Sequence, residues 1–223
     1  MGQIKRTKPQ KLLAEVERYL AVDQPELNAT LRGETVTVTG TYCVHPHQDD
    51  NLVHGCLDKF DIEVVLRAGF PEAEPVVRET GDKIPKSDEY HINGDGSCCL
   101  EIWETWLIDN PKATVEDFFD IPLRNFFLGQ IQKAASGSFP HGEHDHGEAG
   151  LLIAYAEKLQ CDPDKEVVVR MLRALKHSPP RGHWDCPCGS GNKVRNCCKE
   201  RLILLSNQIS TQLAEQMLLR LSI

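Results

Sequence analysis

A cluster of four cysteines near the end of the chain limits its folding more than any other sequence feature. Residues 186–198 read CPCGSGNKVRNCC, so Cys186 and Cys188 form one close pair and Cys197 and Cys198 form another. The segment is too short to build an apolar core, and a bound metal ion is a common substitute for one. Two pairs joined by a Gly-Ser-Gly turn can bring four sulfur atoms to one ion, which is typical of structural zinc. Two disulfides are the alternative; the spacing favours zinc.

The surroundings of these cysteines agree with a metal site. Basic side chains would offset the negative charge of four thiolates around a divalent ion; they are Lys193, Arg195, Lys199 and Arg201. Residues 186–198 also resemble the SEC-C motif, the small zinc module named after the C-terminal tail of the bacterial SecA translocation ATPase, from the CPCGSG start to the paired CC end. The resemblance implies a module for protein contacts and names no partner.

Composition places the chain among globular proteins. Its 223 residues are 40% hydrophobic, which suffices for a sizeable core. The formal net charge is -8 and the pI about 5.6, so we expect no nucleic-acid partner. No apolar run approaches the ~20 residues of a membrane span, and the first ten residues lack the apolar core of a signal peptide. We therefore expect no membrane association and a cytoplasmic location. In that compartment, the nine cysteines are more readily interpreted as metal ligands or nucleophiles than as members of disulfides.

Hydrophobic periodicity predicts an α+β fold. Residues 9–22 carry apolar side chains at helical spacing, whereas residues 35–44 and 60–66 alternate apolar and polar side chains. The alternation is typical of strands, and the polar stretch between the two runs indicates an antiparallel hairpin with a long loop. A short edge strand is predicted at Pro75–Arg78.

The second half of the chain is predicted to be helical. Thr114 and Asp117 have the spacing of a capping box, and the buried helix that follows can be kinked at Pro122. Further helices are expected near 149–160, 164–176 and 201–221.

Residues 177–183, HSPPRGH, have the composition of a linker. We therefore expect two domains, residues 1–176 and 177–223, the second containing the zinc module and a terminal helix.

The remaining cysteines and histidines carry weaker signals. Cys43, Cys56 and Cys161 are isolated in the sequence and are interpreted as structural. A second metal site could be formed by His141, His144 and His146, but histidines flanked by glycine are more often surface residues.

A second cysteine-containing segment, Tyr90–Ile102, reads YHINGDGSCCLEI; we call it the thiol loop. Gly94, Asp95 and Gly96 give it strong turn chemistry. A thiol on a turn that is backed by apolar residues is placed like a nucleophile. The alternative is that the cysteine packs as a small apolar side chain, the usual fate of a free cysteine.

The thiol loop resembles the catalytic segment of ubiquitin-conjugating (UBC-fold) enzymes, in their divergent bacterial branch. In that family the motif runs His-Pro-Asn and then Gly-x-Ile-Cys-Leu-Asp, whereas this chain has His91-Ile92-Asn93 and then Gly96 to Glu101, GSCCLE. The order of helix, strands, Phe70-Pro71 and following helix is shared, over roughly residues 9–160. Residues 139–159, FPHGEHDHGEAGLLIAYAEKL, also resemble the His-Gly segment of bacterial members. The resemblance implies an N-terminal helix, a four-stranded antiparallel meander and C-terminal helices.

The same resemblance assigns roles to individual residues. Cys99 takes the nucleophile position and Cys98 that of the isoleucine, while Asn93 falls on the asparagine that stabilises the oxyanion. Ile92 replaces the proline, and the interval from Asn93 to Cys99 is shorter than in eukaryotic members, so His91 is a rival for the polar contact. Asp95 and Glu101 are nearby acids, and neither is assigned as the base for the incoming amine.

The implied function is that of a conjugating enzyme. Cys99 would carry the C-terminus of a protein as a thioester and pass it to an amine. The carried protein would be a ubiquitin-like protein or a cGAS-like nucleotidyltransferase, as in bacterial anti-phage (CBASS) systems, and a separate activating enzyme could be needed. The alternative is a non-catalytic UBC-like binding or adaptor module that docks proteins through its zinc segment.

Overall fold

The computed structural model is an α+β structure and describes residues 6–46, 55–139, 147–177 and 180–221. Its strands are β1 Leu27–Arg32, β2 Thr35–Val44, β3 Asp58–Arg67 and β4 Val76–Glu79. Its helices are α1 Lys8–Asp23, α2 Trp103–Asp109, α3 Val115–Phe118, α4 Arg124–Ser136, α5 Gly147–Leu159, α6 Lys165–Lys176, α7 Lys199–Gln208 and α8 Thr211–Arg220. Among these residues, no helix is both long and apolar enough to cross a membrane.

The chain divides into two compact units. Unit 1 comprises residues 1–101 and 113–142, and unit 2 comprises residues 102–112 and 143–223. These units do not follow the expected division at residue 176, because α5 and α6 belong to unit 2 together with the cysteine cluster. The functional division into a conjugating domain and a zinc module stays a prediction.

Unit 1 contains a four-stranded antiparallel sheet in the order β1-β2-β3-β4. The predicted hairpin is confirmed, since β2 and β3 pair over their whole length, from Thr35 opposite Arg67 to Val44 opposite Asp58. The predicted edge strand is β4. The first strand, β1, was not predicted from its residues, and it joins β2 through a two-residue turn at Gly33-Glu34.

The core of unit 1 lies on one face of this sheet. The alternating apolar residues of β2 and β3 are all buried, as predicted; they are Val36, Val38, Tyr42, Val44, Phe60, Ile62, Val64 and Leu66. Helix α1 adds Leu12, Val16, Tyr19 and Leu20. From α4, Phe127 packs its ring 4.6 Å from that of Phe60 and 5.5 Å from that of Tyr42. Helix α4 is thereby fixed against the centre of the sheet.

The entry into α4 follows the sequence prediction. Thr114 caps α3 through its side chain, and Asp117 completes the capping box by accepting the Thr114 amide at 2.8 Å. A π-helical turn at Phe119–Leu123 contains Pro122 and separates α3 from α4. The proline lacks an amide hydrogen, so an interruption at this point costs little hydrogen bonding.

Unit 2 is built from helices. The buried apolar face of α6 packs against α8, and Arg220 of α8 forms a 3.2 Å ion pair with the buried Glu104 of α2. The prediction of a single helix near 201–221 is wrong in one respect. It is broken between α7 and α8, where Ser210 caps α8 by accepting the Leu213 amide at 3.1 Å.

The structure also corrects the interpretation of two cysteines. Cys43 and Cys56 were interpreted as isolated structural cysteines, but they form a disulfide with each other, with a Cα–Cα distance of 5.5 Å. The pairing follows from the hairpin, because Val44 lies opposite Asp58 and the chain therefore returns past Cys43. Cys161 is half-buried and outside any disulfide.

Candidate active site and candidate metal centre

The thiol loop closes on itself as a short antiparallel turn in unit 1. Ile92 and Cys98 form an isolated β-bridge. Inside it, the Asn93 amide donates to the carbonyl of Ser97 and the Gly96 amide donates to the carbonyl of Asn93, both at 2.8 Å. Gly96 has a φ of +80°, a left-handed value that glycine adopts without strain.

Two further hydrogen bonds fix the cysteine backbone. The Cys98 amide donates to the carbonyl of Val77 in β4, and the Cys99 amide donates to the carbonyl of His91, both at 2.8 Å. The first bond ties the loop to the sheet, and the second ties it to the incoming arm of the turn. Cys99 is therefore held on a backbone that is anchored on two sides.

The two adjacent cysteines differ in their environments. Cys98 is buried and Cys99 is exposed, as expected for neighbours in extended chain, whose side chains point to opposite faces. Burial raises the pKa of the Cys98 thiol to about 12, so this thiol is protonated at neutral pH. Of the two, only Cys99 is accessible to a large substrate. This burial agrees with the isoleucine position that the resemblance gives to Cys98.

Asn93 takes part in a small polar network at the tip of the turn. Its side-chain amide donates to the Ser97 hydroxyl at 3.0 Å. That hydroxyl donates to the Asp95 carboxylate at 2.6 Å, and the Ser97 amide donates to the same oxygen at 3.0 Å. These bonds, the hydroxyl first, lower the pKa of the Asp95 carboxyl below its usual value. Asn93 would have to use its other amide hydrogen to contact a thioester carbonyl.

His91 lies across the turn from Cys99. The bridge between Ile92 and Cys98 sets this register, and the carbonyl of His91 accepts the Cys99 amide. His91 has a left-handed backbone with a φ of 54°, a conformation that is uncommon for a residue other than glycine and that is found at functional sites. The structure therefore brings the backbones of His91 and Cys99 together, while the side-chain amide of Asn93 donates to Ser97.

Two residues that contact this segment were missed in the sequence. Gln130 and Lys133 of α4 are buried, and they donate to the backbone carbonyls of Tyr90 and Glu89, respectively. The sequence offered one signal for Gln130 and Lys133, which is that polar residues interrupt an otherwise apolar helix face. That signal does not show which residues they contact.

The four cysteines of unit 2 converge as predicted. Their sulfur atoms all lie within 4.8 Å of one another, and the sulfur of Cys188 is 3.3 Å from that of Cys186 and 3.6 Å from that of Cys197. Cys198 lies 3.7 Å from Cys197, measured between sulfurs. Zinc bonds of about 2.3 Å in a tetrahedron would separate the sulfurs by about 3.8 Å. The donor set and its spacing therefore fit one tetrahedral metal ion.

Local backbone bonds create this arrangement. An isolated bridge pairs Asp185 with Lys193, and the Cys186 amide donates to the carbonyl of Asn192 at 2.8 Å. A turn of 3₁₀ helix at 194–196 then delivers the second cysteine pair. Val194 is the one residue between the two pairs that is buried. The segment therefore depends on its sulfur cluster rather than on an apolar core.

Neighbouring side chains already act on the sulfur charges. Burial acts to raise the pKa of the Cys188 thiol, but its hydrogen-bond interactions with Ser190 and Cys186 lower that pKa to about 6. Arg201 donates to the Cys198 sulfur at 2.7 Å and also to the carbonyl of Gln160, at the end of α5. Of the four basic residues expected to offset the thiolate charge, Arg201 makes a direct contact.

We expect Arg201→Gln to weaken metal binding without unfolding unit 2. The guanidinium both neutralises thiolate charge and ties Cys198 to α5, and loss of such an outer contact typically costs 10- to 100-fold in metal affinity (about ten-fold is expected here). The check is the rate of metal transfer to a coloured chelator. Lys199→Gln, an exposed neighbour, is the matched control, and equal rates for the two variants would contradict the role of Arg201.

The candidate histidine site, His141, His144 and His146, lies outside the described residues. Comparisons of the chain with protein families, with curated proteins and with solved structures each find no match. Functional assignment therefore rests on the thiol loop and the cysteine cluster themselves.

Proposed function

We propose that this chain is a cysteine acyltransferase of the ubiquitin-conjugating kind, with Cys99 as the nucleophile. The observation that carries the proposal is the contrast between Cys99, exposed on a doubly anchored turn, and Cys98, buried with a raised pKa. An N-terminal helix, a four-stranded antiparallel meander and following helices are also what a UBC-like fold requires. The sequence motif around the thiol supports the same class.

The reaction proceeds through sulfur. The Cys99 thiolate attacks the carbonyl carbon of an incoming thioester, a carbon–sulfur bond to Cys99 forms, and the thiolate of the previous carrier leaves. An amine then attacks the new thioester, the carbon–sulfur bond breaks, and an amide forms as the amine loses a proton and the Cys99 thiolate returns. Both steps place negative charge on the carbonyl oxygen, where one fixed donor can contribute ~3 kcal/mol.

The thiol loop offers specific groups for these steps. The second amide hydrogen of Asn93 and the backbone amides of the turn are the proposed donors to the oxyanion. His91, across the turn from Cys99, is the proposed polar partner of the thiol. Asp95 is engaged by Ser97 and its pKa is lowered, so it is a poor base for the incoming amine.

The partners proposed for this chemistry are proteins. The carried protein is a ubiquitin-like protein or a cGAS-like nucleotidyltransferase, with or without a separate activating enzyme to supply it as a thioester, and the setting is bacterial anti-phage defence of the CBASS kind. The proposed metal is zinc, held by Cys186, Cys188, Cys197 and Cys198; when bound, it would supply a structural cross-link. The resulting module would serve protein docking.

The test is a trapped adduct. The chain is produced together with the proteins encoded beside its gene, and extracts are separated with and without a thiol reductant. We expect a conjugate that the reductant removes, a reductant-resistant ester with Cys99→Ser, and no conjugate with Cys99→Ala. Cys98→Ser is the matched control and should keep the conjugate, because that thiol is buried.

A different outcome would favour the adaptor alternative. If Cys99→Ala leaves every conjugate in place, or if the unaltered chain binds its neighbours without any thiol-sensitive adduct, the enzymatic proposal is wrong. The cysteine would then be a surface residue of a binding module.

A further inference from the structure

Lys133 of α4 is a buried charge beside the thiol loop. Its side chain is only 6% exposed, which is rare for lysine unless the charge is compensated. The ammonium group lies 4.5 Å from the ring centre of Tyr90 and 4.6 Å from that of Phe139. It donates to the carbonyl of Glu89 and lies 3.3 Å from the carboxylate of the same residue. Two ring faces and two oxygens therefore replace water around it.

Gln130 lies one helical turn before Lys133 in α4 and also contacts the chain next to His91. It is buried, and its side-chain amide donates to the carbonyl of Tyr90 at 2.8 Å. Residues three apart lie on the same side of a helix, so Gln130 and Lys133 together hold two successive carbonyls, those of Tyr90 and Glu89. The next residue in the chain is His91.

The contacts of Lys133 lead to His91, which lies across the turn from Cys99, the proposed nucleophile. The His91 ring meets the Phe139 ring edge-on at 4.6 Å, so Phe139 touches both the Lys133 ammonium group and His91. The His91 amide donates to the carbonyl of Asp88 at 2.9 Å, and its own carbonyl receives the Cys99 amide. A left-handed residue such as His91 persists only where its surroundings hold it.

We propose that Lys133 is a positioning residue for Cys99, acting through Tyr90, Phe139 and His91. With Gln130 it fixes the left-handed turn that holds the Cys99 backbone. The inference rests on the proposed function, since it concerns the same nucleophile. A purely structural position would be filled as well by an apolar side chain, which has no desolvation cost.

Other charged groups share this environment. Glu89 faces Lys133 from the 3₁₀ turn at 88–90. Asp95 at the tip of the loop lies 3.8 Å from Arg78 of β4, and Glu79 of β4 is near Cys98. A substitution at Lys133 leaves these side chains in place, but it removes the ion-pair partner of Glu89.

The experiment is alkylation of Cys99 by iodoacetamide as a function of pH, read by mass spectrometry of the Cys99 peptide. We expect Lys133→Met to lower the rate at neutral pH about ten-fold and to move the midpoint of the pH profile upward, because the loosened turn no longer holds His91, the proposed polar partner of the Cys99 thiol. Lys133→Arg, which keeps the charge and the ring contacts, should restore most of the rate. Lys158→Met, which removes a lysine paired with Asp109 in unit 2, should have no effect.

A second variant, Phe139→Leu, keeps the proposal testable if Lys133→Met does not fold. Phe139→Leu leaves the charge of Lys133 in place and removes the ring that joins it to His91, so we expect a smaller shift in the same direction. The proposal is overturned if Lys133→Met or Phe139→Leu folds normally, by circular dichroism, and alkylates with an unchanged rate and pH midpoint.

This readout is independent of the conjugating activity. Alkylation needs no partner protein, so a shifted profile without any trapped adduct would uphold the positioning of Cys99 and remove the proposed function. A trapped adduct with an unshifted profile would support the proposed function and overturn the positioning role of Lys133. Where transfer is measurable, Lys133→Met should lower kcat and leave the KM for the acceptor unchanged.

Discussion

Removal of the metal ion from the four-cysteine centre is expected to unfold residues 184–198. Val194 is the one buried residue between the cysteine pairs, and Pro187, inside the first pair, is the other buried apolar residue of the segment, so little hydrophobic burial would remain to hold the turn. Structural zinc contributes an apparent ~10–16 kcal/mol in short zinc-finger peptides.

The expected change is measurable through Trp184. Its carbonyl accepts the Val194 amide at 2.9 Å, so loss of the turn should alter the near-ultraviolet circular dichroism and the fluorescence of this tryptophan. Titration with a strong chelator should give this change together with release of one zinc ion per chain. Return of the signal on adding zinc, and not magnesium, would agree with a thiolate site.

Cysteine substitutions supply the matched comparison. Cys197→Ser removes one ligand and should lower the free energy of unfolding of the segment by roughly 3 kcal/mol or more, because a serine hydroxyl is a poor zinc ligand. Cys161→Ser alters a cysteine of the same unit outside the cluster and should have little effect on metal content. Well under one zinc per chain in reduced, unaltered protein would refute the metal centre.

The features that could be predicted from the sequence are those whose cause is local. The cysteine cluster was predicted because its ligands lie within a few residues of one another, so the spacing alone limits their geometry. Strands β2 and β3 were predicted because every second residue faces the core. In contrast, β1 (LNATLR) also alternates apolar and polar residues, but it is only six residues long and fully buries only Leu27, so its signal was weaker and was missed.

The features that were missed depend on contacts that are distant in sequence. The disulfide between Cys43 and Cys56 requires the return of the hairpin. The break before α8 is the exception, because Ser210 caps α8 by accepting the amide of Leu213 only three residues later, and this local signal was overlooked. Lys133 and Gln130 reach back to residues about forty positions earlier in the chain, as the contacts to Glu89 and Tyr90 show. No local pattern identifies such partners.

Phe127→Ala is expected to be the most damaging single substitution in the core of unit 1. The ring is fully buried and packs against the rings of Tyr42, Phe60 and Phe126. Truncation of a buried phenylalanine to alanine costs about 3–5 kcal/mol, from lost burial and from the cavity that remains. Urea unfolding followed by circular dichroism should show this loss as a lower midpoint with an unchanged slope.

The same substitution tests how the sheet and the thiol loop are linked. Helix α4 carries both Phe127, which fixes it to the sheet, and Gln130 and Lys133, which hold the carbonyls before His91. A cavity under Phe127 should therefore also increase hydrogen exchange of the Cys99 amide, which donates to His91. Phe127→Leu, which keeps most of the volume, should cost less and leave that amide protected. A destabilised Phe127→Ala variant with full protection at Cys99 would mean that the loop is held by β4 alone.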